Sequence, residues 1–312
     1  MCKVKKLQRI PSICILVVMR TQVLKNFELS KAVLALKNGH PVVFPTETVY
    51  GLGAPVFNEG AVRRIFEIKG RPSDNPLIAH IAFLDQAKVL SDQLSADFYA
   101  LAEAFWPGPL AIIVKRRIEV PAVVSAGQPT IAIRMPSHPV ARELIELVGE
   151  PLVAPSANIS GRPSPTCLQD VLEDLDGKVD FAIDGGPCEI GIESTVISLF
   201  HEIPTLLRPG KITREALEHV LGRPVALPSV KGPILSPGMK YRHYAPKAPV
   251  RLVYKLEDLK GPFILPTAKS LYADLRESDR LGHSLIEIYC DATVQNDEAL
   301  MNRLLRASGQ IH

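Results

Sequence analysis

Apolar positions along residues 29–225 switch repeatedly between a helical and an extended period. LSKAVLALKNGH reads as an amphipathic helix with Ser30 near its start and Gly39 at its stop, and PVVFPT as a short buried strand. EGAVRRIFEIKG predicts a second helix closed by Gly70, PLIAHI a strand, SADFYALAEAFWPGP a helix broken by proline, and LAIIVKR a strand. The series goes on through TIAIRMP (strand), HPVARELIELVG (helix), PLVAPSAN (strand into turn), VDFAIDGG and STVISLF (strands) and TREALEHVLG (helix). Such alternation predicts an α/β domain over residues 21–225. Residues 226–249 hold no period and are rich in Pro, Gly and Tyr, as an ordered connector would be. A second α/β unit is expected over 250–312, from VRLVY, FILP, SLYADLRES, LIEIY and DEALMNRLLRAS; at 63 residues its core is marginal. No internal repeat is visible.

The composition, 46% hydrophobic and 22% charged, is that of a globular protein. The 27 prolines sit in short motifs such as WPGP, RPSP and SPG, which implies fixed turns rather than a disordered tract. Residues 1–20 carry five bases and no acid, leaving 31 bases against 33 acids over 21–312. A formal charge of +3 therefore signals no general field for nucleic-acid backbone. Five cysteines without a C-x-x-C pair suit a reducing compartment, so a cytoplasmic protein is expected. The apolar run in MCKVKKLQRIPSICILVVMR is only about nine residues, too short for a bilayer. Residues 1–20 are read as an N-terminal extension, with Met19 just ahead of the domain opening.

Three polar loops follow buried strands. In PTETVYGLGA (45–54), Thr46, Thr48 and Tyr50 alternate and would share one face of an extended chain, with Gly51 and Gly53 admitting a ligand close to the backbone. Alone, the stretch reads equally as a strand-to-turn. KGRPSDNP (69–76) places Lys69 and Arg71 in a turn, where two cations suit a phosphate chain or merely complement a helix dipole. PSANISGRPSPT (155–166) offers Ser156, Asn158, Ser160 and Ser164 after a strand, where α/β proteins place ligands. Ser156 reads as a binding hydroxyl, since G-x-S-x-G is absent. Glu193-Ser194-Thr195, Arg208-Pro209-Gly210, and Thr130 and Arg134 at the two ends of TIAIR also fall at strand ends. His80, ending PLIAHI, is either a ligand contact or a satisfied core histidine. No Walker A motif, G-x-G-x-x-G fingerprint or H-E-x-x-H metal signature is present.

Taken in order, PTETVYGLGAPVFN, KGRPSDNPLIAHI, APSANISGRPSPT, ESTVI, LRPG and SPGMKYRHYAP resemble the threonylcarbamoyl-AMP synthase family, in its long form with a YrdC-like domain, a linker and a C-terminal domain. The resemblance runs from residue 24 to about 249 and returns more loosely at SLYADLRESD and NRLLRAS. It implies a twisted mixed sheet with flanking helices and an open ligand cleft, followed by a small α/β domain. It also implies synthesis of threonylcarbamoyl-adenylate and pyrophosphate from L-threonine, bicarbonate or CO2, and ATP. A partner transferase would then carry the threonylcarbamoyl group to tRNA beside the anticodon. Carried over by resemblance, Lys69, Arg71, Ser156 and Asn158 form the catalytic set, with Lys69 bearing phosphate charge and Asn158 supporting the Ser156 loop. Asn75, Thr130, Ser164, Arg208 and Tyr244 would join them in holding ATP, with Tyr241 a second candidate in the linker. Thr48, His80, Arg134, Ala154 and Ser194 would hold threonine. Mg2+ is expected through the ATP phosphates with no protein ligand, and no organic cofactor. Direct tRNA binding is expected to be weak or absent, and no membrane is involved. The linker would act as a lid, and the C-terminal unit reads as shorter than is usual in the family. The alternatives are a non-catalytic RNA-binding module and a carbamoyltransferase on the same fold.

Overall fold

The computed structural model describes residues 20–25, 28–228 and 243–310. Residues 1–19 of the expected extension, and most of the linker with Tyr241, lie outside them. Ten strands form one mixed sheet: β1 (Gln22–Leu24), β2 (Val42–Phe44), β3 (Gly51–Pro55), β4 (Ile78–His80), β5 (Leu110–Lys115), β6 (Thr130–Arg134), β7 (Leu152–Val153), β8 (Phe181–Ile183), β9 (Thr195–Ser198) and β10 (Thr205–Arg208). Their spatial order is β1-β8-β2-β3-β7-β4-β6-β5-β9-β10. Six helices accompany them: α1 (Leu29–Lys37), α2 (Glu59–Lys69), α3 (Ala96–Phe105), α4 (Pro139–Val148), α5 (Leu168–Leu175) and α6 (Arg214–Leu221).

Strand alternation builds two cores on opposite faces. Val43 joins a cluster with Ile65 and Phe66 of α2, Phe98 and Leu101 of α3 and Leu217 of α6. Its neighbours Val42 and Phe44 join Leu36 of α1 and Leu144 and Ile145 of α4 on the other side. In β5, Leu110, Ile112 and Val114 face the first core, while Ala111 and Ile113 fall in a small separate cluster with Ile78, Ala132, Val196 and Leu207. That cluster is the apolar floor between Thr130 and Arg134, which share the Ala132 side of β6.

A bulge decides where Arg208 points. Leu206 pairs with Ile197, but Arg208 pairs with Val196, so Leu207 is an extra residue in β10. Strict alternation would have left Arg208 on the Leu206 side, inside the first core. Opposite Val196, it stands on the face of the apolar floor.

Gly53 of PTETVYGLGA serves packing, and of the expected shared face only the Thr46 and Thr48 hydroxyls meet, at 2.9 Å, while Tyr50 leaves it. Residues 46–49 bend: the Thr46 hydroxyl donates to Val49 O at 2.6 Å and the Thr48 amide donates back to Thr46 Oγ1 at 3.2 Å. Tyr50 instead turns into the first core and donates from its hydroxyl to Gly186 O at 2.7 Å. A Cβ on Gly53 would lie 2.5 Å from the Phe44 ring, so this glycine clears space for a phenylalanine across the strand pair.

The C-terminal unit has a parallel sheet of β11 (Val250–Val253), β12 (Phe263–Ile264) and β13 (Ile286–Tyr289), in the order β11-β13-β12, with α7 (Leu271–Arg280), α8 (Ala292–Asn296) and α9 (Glu298–Ala307). Its core is not its own alone. Val49, Ile190, Ile192 and Tyr244 cluster with Leu271, Tyr272, Leu275, Ile288, Leu300 and Leu304. Gly191, at φ +87°, permits the contact, since a Cβ there would meet the Lys269 backbone at 2.6 Å. Ion pairs seal the join: Arg276, without solvent exposure, meets Asp174 at 3.0 Å, and Arg280 meets Asp170 at 2.5 Å and Glu173 at 2.6 Å. A unit too small to bury a sufficient core by itself is completed by its neighbour.

Candidate active site

Strand ends and loops of the catalytic sheet enclose a cleft of about 70 Å³ beside the apolar floor. Its walls include Thr48, Arg71, His80, Arg134, Ala154, Ser156, Ser194, Arg208 and Tyr244, nine of the residues singled out from the sequence. Chain order scatters them over nearly 200 positions; the sheet order brings β4, β6 and β7 side by side and β9 and β10 nearby.

One end is built around a buried arginine. Arg134 pairs with Glu47 at 2.7 Å, both side chains only 5% exposed, so the charges compensate each other away from water. Its Nη1 donates to Thr48 Oγ1 at 2.9 Å and its Nε to Gly108 O at 3.4 Å. Arg134 holds the Glu47 carboxyl below its usual value against the opposing effect of burial. His80 lies beside this arginine, its Nδ1 at 3.2 Å from Ile78 O, and burial, reinforced by Arg134, pushes its pKa down to about 3. A carbonyl partner makes Nδ1 the donor and leaves Nε2 as an acceptor. Ala154 completes this end from β7's exit, its amide bonded to Ile78 O at 3.0 Å.

Cations and the serine loop form the other end. Gly70 closes α2 in the left-handed conformation and turns Arg71 out, where Nη2 donates to Asn75 O at 3.3 Å and Pro76 O at 3.1 Å. Burial lowers the Arg71 pKa to about 10, which still leaves it charged at neutral pH. Arg208 donates from Nε to Ser194 O at 3.0 Å and from Nη2 to Ser194 Oγ at 3.2 Å. Asn75 is buried with neither amide atom hydrogen-bonded, a costly state, but it lies outside the cleft walls, beside Arg71 and Pro76. Over this end sits Tyr244, at φ +62°, with His243 beside it.

Lys69 does not stand where a phosphate contact is expected. Its ammonium is buried and donates to Ser156 O and Asn158 O at 2.5 Å each, with Asn158 Oδ1 at 3.4 Å. It staples the Ser156 loop from beneath, and burial, then Arg71, pulls its pKa well below the usual lysine value. Asn158 shares that work, accepting from Ser156 Oγ at 2.6 Å and donating to Ile159 O and Arg162 O. The Ser164 hydroxyl is engaged with Glu193 Oε1 at 2.5 Å. Thr130 lies outside the cleft walls, on the same face as Arg134 but at the far end of β6.

Two residues were not anticipated, Glu47 and His243, and Glu193 was expected only as part of a strand-end group, without a role of its own. For Glu47 a signal existed, because an arginine ending a buried strand needs a counter-ion and an acid stands in the adjoining TET motif. Glu193 is paired to Arg303 from 110 residues away, a partner that no local pattern announces.

A pH dependence follows from the two buried imidazoles. His243, like His80, is pushed down to about 3, by burial and then by Arg71 and Arg306. Unfolded histidines take up protons near pH 6.5, so below that pH the unfolded chain binds more protons and stability falls on acidification. Melting temperature is expected to be lower at about pH 5 than at about pH 7.5, above the range where Glu47 titrates. An equal or higher melting temperature at the acid end contradicts the assignment.

Two family models match the chain: one described as Telomere recombination over residues 34–210, the other as the threonylcarbamoyl-AMP synthase C-terminal domain over 212–261. Threonylcarbamoyl-AMP synthase of Pyrococcus abyssi is 43% identical, over 88% of this chain and 92% of that protein. The Bacillus subtilis protein of the same description is 48% identical, over 90% and 93%. The crystal structure of Pyrococcus abyssi Sua5 complexed with L-threonine superposes with a TM-score of 0.84 at 39% identity, covering 93% of this chain and 98% of the other.

Proposed function

The chain belongs to the threonylcarbamoyl-AMP synthase family, and on that premise we propose how its cleft makes threonylcarbamoyl-adenylate and pyrophosphate from L-threonine, bicarbonate or CO2, and ATP. Threonine takes the Arg134 end. Two of the five guanidinium N–H groups of Arg134 donate to Thr48 and Gly108, while Nη2 stands 2.7 Å from Glu47 as an ion pair without a hydrogen bond. Nη1 and Nη2 thus keep N–H groups for the amino-acid carboxylate. His80 Nε2, neutral at working pH, accepts a hydrogen bond from the substrate and is too weak a base to deprotonate the amine. Ser194 and the Ala154 backbone close this end.

ATP takes the Arg71 end, with the carbamate oxygen attacking the α-phosphorus and pyrophosphate leaving. Arg71 and Arg208 face the growing negative charge as fixed cations, and Ser156 offers a hydroxyl from a loop that Lys69 and Asn158 hold still. The two cations Arg71 and Arg208, lining the cleft together with Ser156, are the observation that carries this half. Among the described residues no cluster of His, Cys, Asp and Glu could hold a metal, and Glu47 and Glu193 are both committed to arginines. Mg2+ enters this scheme as an ion that the triphosphate would bring with it, sharing the neutralisation of its charge. A cavity of about 70 Å³ is well below the hundreds of cubic ångströms of typical ligand pockets, so His243 and Tyr244 must lift to admit a nucleotide. The adenylate is then handed to a separate transferase. No described helix is long and apolar enough to cross a membrane.

Incubation with ATP, bicarbonate and a panel of amino acids, followed by pyrophosphate release, tests the whole reading: release should require threonine. Release independent of the amino acid overturns it, as does salt-sensitive tRNA binding without ATP turnover. Arg71→Ala is expected to weaken ATP binding at least tenfold, the loss of one charge-assisted contact, while threonine affinity in calorimetry stays near that of the parent.

A further inference from the structure

Glu193 lines the cleft, and while Ser164 holds its Oε1, the donors to Oε2 come from the C-terminal unit. Arg303 Nε and the Tyr272 hydroxyl both donate to Oε2, each at 2.9 Å. Arg303 Nη2 also reaches Glu193 O at 3.3 Å and its Nη1 reaches Pro209 O at 3.0 Å, so one side chain grips the residues preceding Ser194 and following Arg208. The same pair frames Tyr244. The Arg303 guanidinium carbon lies 5.5 Å from the Tyr244 ring centre, and the Tyr272 ring packs at 5.5 Å and 31°. Tyr244 is one of two non-glycine residues with positive φ among those described, a conformation that persists only where its surroundings over-determine it. Arg303 has no solvent exposure, nor does Tyr272. Two domains in simple contact would not need a fully buried arginine aimed at the cleft wall of the other.

We propose that Tyr272 and Arg303 are positioning residues for the nucleotide half of the cleft, acting through Glu193 and the ring of Tyr244. Resting on the reading that Arg208 and Tyr244 face ATP, this makes the C-terminal unit part of the catalytic architecture. Tyr272 and Arg303 anchor the closed position of Tyr244, and Glu193, held charged by Arg303, keeps Arg208 oriented through the neighbouring Ser194. Neither touches the reacting atoms.

Tyr272→Phe keeps the ring and its packing and removes one donor. Arg303→Lys keeps the charge and loses the fork that spans Glu193 and Pro209. A control, Arg251→Gln, breaks an ion pair with Glu287 within the C-terminal sheet, neither of which bonds to Glu193. In the full-length protein, the KM for ATP is expected to rise about threefold in Tyr272→Phe and about tenfold in Arg303→Lys. The KM for threonine should stay within about twofold in both. Arg251→Gln should lower the melting temperature without moving either constant. The proposal is overturned if both variants keep the parent KM for ATP. It is equally overturned if the two constants shift together in proportion to lost melting temperature, the behaviour of a purely structural join. A parent protein that does not bind ATP sinks the nucleotide reading itself, and unchanged variants of an ATP-binding parent sink this inference alone.

Discussion

Arg134→Ala is expected to lower kcat/KM for threonine by about thirtyfold to a few thousandfold, the 2–5 kcal/mol typical of truncating one partner of a buried charge pair. ATP affinity should change little. The same substitution strands Glu47, which is 4% exposed and has no other cationic partner among the described side chains. A buried, unpaired carboxylate costs about 3–5 kcal/mol, so a fall in melting temperature should accompany the loss of activity. The two effects separate in the double variant Glu47→Gln with Arg134→Met, which removes both charges at once. Stability should return most of the way, and threonine turnover should not. If stability and turnover recover together, Arg134 acts on the fold and not on the substrate.

The second large effect concerns Lys69→Met, which replaces the ammonium with a side chain of similar length. Ser156 O and Asn158 O lose their shared donor inside the protein. Ser156 O keeps the Asn158 amide at 3.0 Å, but Asn158 O is left without a partner, which costs about 1–3 kcal/mol. Releasing the Ser156 loop should abolish most activity as well. Melting temperature is therefore expected to fall by several degrees, with both substrates binding more weakly. Had Lys69 the phosphate role implied by its place in KGRP, the fold would be indifferent to the change and only ATP affinity would drop. A variant with parent-like stability and a selective ATP defect would restore that role.

Why these two arginine and lysine positions differ is a matter of direction along a helix end. The KGR triplet shows two cations flanking a glycine, and nothing in it distinguishes one from the other. Gly70, in the left-handed conformation, reverses the chain between them, so Lys69 stays on the buried face of α2 and Arg71 emerges into the cleft. The α5 helix carries its own signal, since Leu168, Val171, Leu172 and Leu175 follow a helical period, but eight residues are short enough to pass for loop. The TET turn misled in another way. Its alternating hydroxyls suggest a strand, whereas Thr46 satisfies its own loop and Tyr50 turns into the core.

By itself the sequence determined the α/β alternation, the order of the polar loops and most of the side chains that reach the cleft. These are local properties: period, caps and loop chemistry at strand ends are written within a dozen residues of each other. Tertiary structure decided what depends on distant partners. It paired Glu47 with Arg134, put a bulge at Leu207 that aims Arg208 at the floor, and sank Lys69 beneath the serine loop. It also brought Tyr272 and Arg303 across the domain join to Glu193. A buried charge is settled by what packs against it, and that neighbour lies 87 to 110 residues away in the chain, while the bulge is settled by the register with β9.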